Sequence, residues 1–256
     1  MQQTRNAFIS KLLSISIVGA VAPNTFAGVF ASNAPAIKAL AFDAFPVFDP
    51  RPVFALAETL FPGKGQELSN TWRTKQFDYQ WLRALSGTYQ DFWTVTRQAL
   101  VFAAKSANVD LTDDKRAQLM GAYLNLKPWP DVLPALQSFK KAGIKLVFLS
   151  NMTEKMLRQN IHANNLDELF DAVLSTDSNH SYKPSPKAYQ LAPDILQLKK
   201  SEIGFVAFAG WDAAGAKSFG YPTYWINRQN QPAEELGVSP DWTGNNLGEL
   251  VNYIVR

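Results

Sequence analysis

The sequence predicts an α/β protein, with a parallel sheet covered by helices on both faces and an all-helical cap inserted after the first strand. From residue 128 onward, short apolar runs alternate with amphipathic stretches, the pattern of strands joined by crossover helices. Between residues 51 and 127 that alternation stops, and apolar residues recur only at helical spacing. The polar residues Asp43, Ser150-Asn151, Lys183 and Asp212 each fall at or just after the end of a predicted strand. Open parallel sheets keep their active sites at that edge.

Taken in order, Ala39 to Phe42 is a short apolar run that stops at Asp43, and it reads as a buried strand. Pro46 to Pro50 reads as a loop. Val53, Leu56, Ala57 and Leu60 lie at helical spacing and end at Phe61-Pro62-Gly63. Leu68, Trp72, Lys75, Tyr79 and Leu82 mark a longer helix that closes near Gly87, and Tyr89 to Ala107 marks a third. Thr112 suits an N-cap, with Asp113 and Asp114 at the positive end of a fourth helix running to about Leu126. Four helices exceed what a crossover needs, so residues 51–127 read as an inserted cap.

Alternation then resumes. Pro130 to Ala142 is a predicted helix stopped by Gly143, and Ile144 to Leu149 a strand. Thr153 to Asn164 is a helix and Asp171 to Ser175 a short strand. Ser185-Pro186 starts a further helix. Gly204 to Ala209 is a strand, Asp212 to Phe219 a helix closed by Gly220, and Pro222 to Ile226 the last core strand.

Composition excludes several function classes. The chain has 256 residues, 46% of them hydrophobic and 18% charged, the profile of an ordinary globular protein. Its net charge of +3 is spread without basic clusters, so nucleic acid is not an expected partner. With no cysteine there is no disulfide, thiolate nucleophile or cysteine-ligated metal. His162 and His180 are the only histidines, too few for a multi-histidine metal site. At the N-terminus, Arg5 and Lys11 precede an apolar run from Leu12 to Ala22, and Thr25-Phe26-Ala27 resembles a small-x-small cleavage site. Residues 1–27 therefore read as a secretory signal, with the mature protein exported, periplasmic in a Gram-negative source, and free of the membrane after cleavage. The competing reading is a membrane anchor, for which the run is short, since a span needs ~20 apolar residues.

Each polar strand-end residue has a local explanation of its own: helix cap, turn or solvated lysine. Their joint placement at one sheet edge points to chemistry. A carboxylate can attack carbon or phosphorus to form an ester or acyl phosphate that water then cleaves. Lys183 beside Asp43 would favour its ionised form. Asp212 would activate or orient the hydrolytic water.

These residues also carry a family resemblance. Asp43, Leu149-Ser150-Asn151, Tyr182-Lys183-Pro184 and Gly210-Trp211-Asp212 followed by Gly215 to Gly220 resemble the haloacid dehalogenase superfamily. Phe61 to Gly65, Trp72-Arg73, Tyr79, Trp81-Leu82-Arg83, Tyr89, Phe92, Ala188-Tyr189, Trp225 to Arg228 and Pro240-Asp241-Trp242 resemble its type II L-2-haloacid dehalogenases. The resemblance spans about residues 36–256, cap included.

It implies a Rossmann-like core of residues 36–50 and 128–256, a cap of residues 51–127, and hydrolytic dehalogenation of short L-2-haloalkanoic acids to 2-hydroxy acids. Asp43 matches the nucleophile that displaces halide from carbon 2 with inversion, Lys183 its charge partner, and Asp212 the residue linked to ester hydrolysis. Arg73 matches the cation that receives halide or carboxylate, with Asn151 and Phe92 beside it, and Ser150 a donor to the substrate carboxylate. Tyr189 and Trp211 match pocket-lining residues; with Phe92, they read equally as core aromatics. A small anionic substrate is the expected ligand, a homodimer through the cap the expected assembly, and neither metal nor cofactor is expected. The superfamily's phosphatases resemble Asp-x-Asp at the nucleophile and hold magnesium with further carboxylates; here the second acid is Phe45.

The chain departs from the family pattern at two loops. Where the family reads Asp-x-x-Gly-Thr with a further Asp, this chain reads Asp43-Ala44-Phe45-Pro46-Val47-Phe48-Asp49, best fitted by a one-residue deletion with proline replacing Gly-Thr. Where the family carries Ser-x-Asn-x-x-Asp, it has Ala207-Phe208-Ala209-Gly210-Trp211-Asp212. Three readings therefore stand: a 2-haloacid dehalogenase, another aspartyl-ester hydrolase, and a binding homologue without turnover.

Overall fold

The computed structural model describes residues 37–255; the expected export segment, residues 1–27, lies outside them. The first strand, β1 (Ala39–Phe42), is fully buried, and its side chains alternate between two apolar clusters. Leu40 and Phe42 join one face, Ala39 and Ala41 the other, as the two-residue period of a strand requires. A sheet buried on both faces needs continuously apolar strands, which is why the run carries no polar residue before Asp43.

The segment expected to be a loop is instead ordered. Ala44–Val47 forms one helical turn (α1), and Phe48–Asp49 (β2) pairs antiparallel with Lys127–Pro128 (β3). This ribbon is the stem through which the helical insert leaves and returns. Proline is accommodated because the first N–H groups of a helical turn have no intrahelical acceptor.

The insert holds α2 (Arg51–Leu60), α3 (Gly65–Leu85), α4 (Phe92–Ser106) and α5 (Asp113–Ala122), with no strand among the described residues between them. Thr112 caps α5 as expected, accepting from Lys115 N–H at 3.3 Å. Asp91 caps α4, accepting from Thr94 N–H at 2.8 Å, so that helix starts after Tyr89 rather than at it. Their apolar faces join the same cluster as Leu40 and Phe42.

The core then alternates through α6 (Val132–Lys141), β4 (Lys145–Ser150), α7 (Glu154–Ala163), β5 (Ala172–Ser175), α8 (Pro186–Tyr189), α9 (Leu191–Leu196), β6 (Ile203–Ala207), α10 (Gly210–Phe219) and β7 (Thr223–Ile226). β7 is not the last strand. β8 (Trp242–Gly244) pairs parallel beyond it and leads into α11 (Leu247–Ile254). A three-residue strand is too short to show a period in sequence. The six strands run in the order β5-β4-β1-β6-β7-β8, all parallel, as the sequence predicted. From β1 the chain builds outward to one side, then crosses back to build the other. β1 therefore sits at the point where strand order reverses, which leaves a crevice beyond its C-terminal end.

Candidate active site

Asp43 stands at the mouth of that crevice. It caps the turn α1, with Oδ2 accepting from Phe45 N–H at 3.2 Å. Its other oxygen, Oδ1, accepts from Lys183 Nζ at 2.8 Å. The expected local role and the expected charge pairing thus coexist on one carboxylate. The turn is fixed from behind: Trp129 Nε1 donates to Phe45 O at 3.0 Å, and Arg228 to Pro46 O at 2.9 Å. Arg228 is itself anchored on Asp131 at 2.8 Å. This bracing takes the place of a glycine-based loop.

Lys183 comes from the segment after β5 and reaches across to both acids. Nζ donates to Asp212 Oδ2 at 2.6 Å as well as to Asp43. Asp212 lies in the first turn of α10, whose N-cap is Ala209, so it is not the cap residue that its position before a helix suggested. Lys183 and Asp212 are sealed from solvent, while Asp43 keeps a small exposed surface. Burial works against the Lys183 charge, but Asp212 and Asp43 outweigh it and hold its pKa above the ordinary lysine value. Burial also pushes Asp212 up to about 6, against the pull of Lys183, with the Asp43 charge adding to the rise.

Asp43, Arg73, Phe92, Ser150, Asn151, Lys183, Trp211 and Asp212, drawn from the sheet edge and from the insert, all line one cavity of about 60 Å³. Tyr189 does not. It lies behind Asp212, donating from its hydroxyl to Oδ1 at 2.7 Å, and is packed against Phe205 and Tyr221. Its helix, α8, covers the opposite face of the sheet, so its ring belongs to the core and only its hydroxyl serves the site. Burial, then the Asp212 charge, raises the Tyr189 pKa well above the tyrosine value, so it remains a donor.

Ser150 ends β4, and its Oγ accepts from Met152 N–H at 3.2 Å, leaving its own proton free to donate. Asn151 is held at both amide ends, with one Nδ2 hydrogen left without a partner. Its Oδ1 accepts from Lys183 N–H at 2.9 Å and its Nδ2 donates to Gln80 Oε1 at 2.9 Å. Arg73 stands at the exposed cavity mouth and has no hydrogen bond or ion pair with the described residues. The positions expected to carry polar side chains in the family, Pro46, Ala207 and Ala209, carry none here, and Ala207 is fully buried.

Sequence reasoning missed Gln76, Phe77 and Gln80, which share the cavity wall with Arg73. Their spacing from Arg73 places all four on one face of α3. Two amides three and seven residues after Arg73, at helical spacing, were the available signal. Phe45, Phe54 and Phe208 complete an aromatic wall.

A family profile described as haloacid dehalogenase-like hydrolase matches residues 11–220. The chain is 40% identical over 216 residues to an (S)-2-haloacid dehalogenase of Pseudomonas sp. (strain YL), covering 84% of this chain and 93% of that protein. It is 36% identical to haloacetate dehalogenase H-2 of Moraxella sp. (strain B), covering 85% of this chain and 98% of that protein. Among solved structures, a crystal structure of an L-2-haloacid dehalogenase superposes with a TM-score of 0.85 at 39% identity, covering 86% of this chain and all of the other. An L-2-haloacid dehalogenase from Xanthobacter autotrophicus with chloropropionic acid covalently bound superposes with a TM-score of 0.78 at 32% identity, covering 86% of this chain and 98% of the other.

Proposed function

The chain belongs to the haloacid dehalogenase-like hydrolases, and from that premise we propose that it hydrolyses short L-2-haloalkanoic acids to 2-hydroxy acids through an ester on Asp43. The observation that carries this reading is the ammonium of Lys183 held within 2.8 Å of Asp43 and 2.6 Å of Asp212 inside one small cavity.

An oxygen of Asp43 attacks carbon 2 from the side opposite the halogen. The carbon–halogen pair leaves as halide, and carbon 2 inverts. Water then adds to the ester carbonyl of Asp43, the alcohol leaves with a proton, and the carboxylate is restored. The balance is one haloacid and one water giving one hydroxy acid, halide and a proton. Asp212, ionised above about pH 6, draws a proton from that water. The charge between the two carboxylates is supplied by Lys183, so the reaction as proposed runs without a metal. Phe45 occupies the place where a phosphatase of the superfamily would carry its second acid, which disfavours phosphoryl transfer.

Size supports a short substrate. With ~10–15 Å³ needed per water-sized group, a cavity of about 60 Å³ takes about four to six such groups. A three-carbon haloacid falls in that range. Arg73, charged and unpaired at the mouth, binds the carboxylate together with the Ser150 hydroxyl.

A second reading, a homologue that binds such acids without turning them over, rests on the side chains of Pro46, Ala207 and Ala209, which carry no polar group. Incubation with L-2-chloropropionate separates the two. Chloride release that Asp43→Ala abolishes is expected, and in a single turnover in ¹⁸O-water the label enters Asp43 before it enters product. Absence of Asp43-dependent chloride would sink the dehalogenase reading.

A further inference from the structure

The turn that follows the nucleophile cannot satisfy its own backbone. α1 is four residues long, and the last carbonyls of a helix have no partner within it. Ala44 O takes the N–H of Phe48. The other three carbonyls are taken by two residues from distant parts of the chain. Trp129 donates to two of them, from Nε1 to Phe45 O at 3.0 Å and from its backbone N–H to Val47 O at 3.1 Å. Arg228 donates to the one between, Pro46 O, at 2.9 Å. Trp129 directly follows β3, the return strand of the stem, and Arg228 lies just after β7.

Arg228 is held in an orientation that leaves one of its donors unused. Its guanidinium makes two bonds to Asp131, at 2.8 and 2.9 Å, and lies 4.5 Å from the Trp129 ring centre. Asp131 also accepts from Leu247 N–H, at the start of α11, at 2.8 Å. The Arg228 side chain is only 6% exposed, yet its Nε finds no acceptor among the described residues. A buried ion pair is a weak source of stability, and a buried donor without an acceptor is destabilising. Stability alone therefore does not account for a guanidinium turned onto Asp131 and Pro46 O.

Neither Trp129 nor Arg228 lines the catalytic cavity. The turn that they hold presents Phe45 N–H to Asp43 Oδ2 at 3.2 Å, while Lys183 holds Oδ1 at 2.8 Å. With one oxygen tied to the turn and the other to the ammonium, the carboxylate plane is fixed. Were the turn to drift, only Lys183 would remain, and the carboxylate could swing about its Cα–Cβ bond. A nucleophile must meet its carbon at about 3–3.5 Å with aligned orbitals, so a small rotation slows attack.

We propose that Trp129 and Arg228 are positioning residues for the nucleophile, setting the orientation of the Asp43 carboxylate through the carbonyls of the turn behind it. The effect on rate rests on the dehalogenation reading above; the effect on the turn does not.

The test uses two variants at independent sites. Trp129→Phe removes Nε1 and keeps an aromatic ring and the backbone N–H. Arg228→Lys keeps the charge and removes the fork that spans Asp131 and Pro46 O. Arg51→Gln is the control, since its guanidinium lies 4.4 Å from the same ring centre but bonds to Asp49 and to no carbonyl of the turn. Thermal melting establishes the folded fraction of each. Single-turnover halide release from L-2-chloropropionate is expected to slow about tenfold or more in Trp129→Phe and Arg228→Lys. The concentration that half-saturates that rate stays within about twofold of wild type, because neither residue meets the substrate. Arg51→Gln keeps the wild-type rate. The Phe45 amide proton, followed by ¹H–¹⁵N NMR, is expected to move upfield in both variants, toward its position in Asp43→Ala. A lowered melting temperature with the rate per folded molecule and the Phe45 signal unchanged would mean a purely structural role and overturn the proposal, as would equal slowing in Arg51→Gln. If one variant does not fold, the other decides. If the wild type releases no halide through Asp43, it is the dehalogenase reading that fails, and the Phe45 signal alone then decides on positioning: a shift keeps it, and an unmoved signal removes it.

Discussion

Lys183 Nζ meets Asp212 Oδ2 at 2.6 Å, with both side chains sealed from solvent and a second carboxylate, Asp43, on the same ammonium at 2.8 Å. A single buried cation thus compensates two acids, one at the end of β1 and one at the start of α10. Among the described residues, neither acid has another ion-pair partner. The pairing ties nucleophile, water base and sheet edge into one unit, and each member has its own measurable consequence.

Lys183→Met leaves two carboxylates facing each other without a counter-charge. Removing one partner of a buried ion pair costs about 3–5 kcal/mol. The variant is expected to unfold at lower urea and to lose halide release by about 10²–10⁴-fold. Urea melts and chloride assays on the same preparation check both. Wild-type stability would show that the acids find other compensation.

Asp212 makes activity and stability depend on pH in opposite directions. Its folded pKa of about 6 lies above the unfolded value of about 3.9. Between these values the unfolded state holds fewer protons than the folded one, so this group's stabilisation falls as pH rises, by up to about 1.4 kcal/mol per unit. Over the same window the water base becomes ionised, and turnover rises through about pH 6. Asp212→Asn should remove the acid limb of kcat and the matching slope in urea melts between about pH 4 and 6. Asp131 and Asp171, whose pKa values are lowered, contribute the opposite slope at lower pH in both proteins and cancel in the difference.

Among the described residues, Arg73 makes no hydrogen bond or ion pair that a substitution would break. Arg73→Gln is therefore expected to leave the melting curve within about 0.5 kcal/mol of wild type. Its loss falls on the substrate carboxylate, worth about 10- to 100-fold in KM for a charged hydrogen bond. A fall in kcat alone, with KM intact, would assign Arg73 to the leaving group instead.

Ala209 is the N-cap of α10, with backbone in the extended region and no side-chain bond to the helix. Ala209→Asn supplies that bond and is expected to stabilise the fold by about 1 kcal/mol. It also returns an amide to the cavity wall beside Asp43. Halide release is expected to rise several-fold, with about 10² as a ceiling for one well-aimed donor. Thermal melting and initial rates read the two effects separately, and a stabilised variant with unchanged rate would confine Ala209 to the helix end.

Much of the architecture was legible in the chain because it is local. The strands β1, β4, β6 and β7 are apolar runs, the helices of the insert repeat at their own period, and Thr112 caps the helix it precedes. The acids, the lysine and the Ser150-Asn151 pair were legible because a strand ends where its apolar run ends. Tyr189 reads from sequence equally as pocket wall and as core aromatic, because the face its helix covers is set by packing on Phe205 and Tyr221.

By itself, the sequence determined five of the six sheet strands, which edge carries the carboxylates, and that a helical insert stands between the first two core strands. Those follow from the periodicity and termination of single segments. The tertiary structure alone decided that Phe48–Asp49 and Lys127–Pro128 close a ribbon, that Tyr189 stands behind Asp212, and that Gln80 keeps an unpaired donor. Gln80 and Asn151 lie 71 positions apart. Whether a buried amide is satisfied depends on what the fold brings to it from such distances, and no local pattern of residues records that.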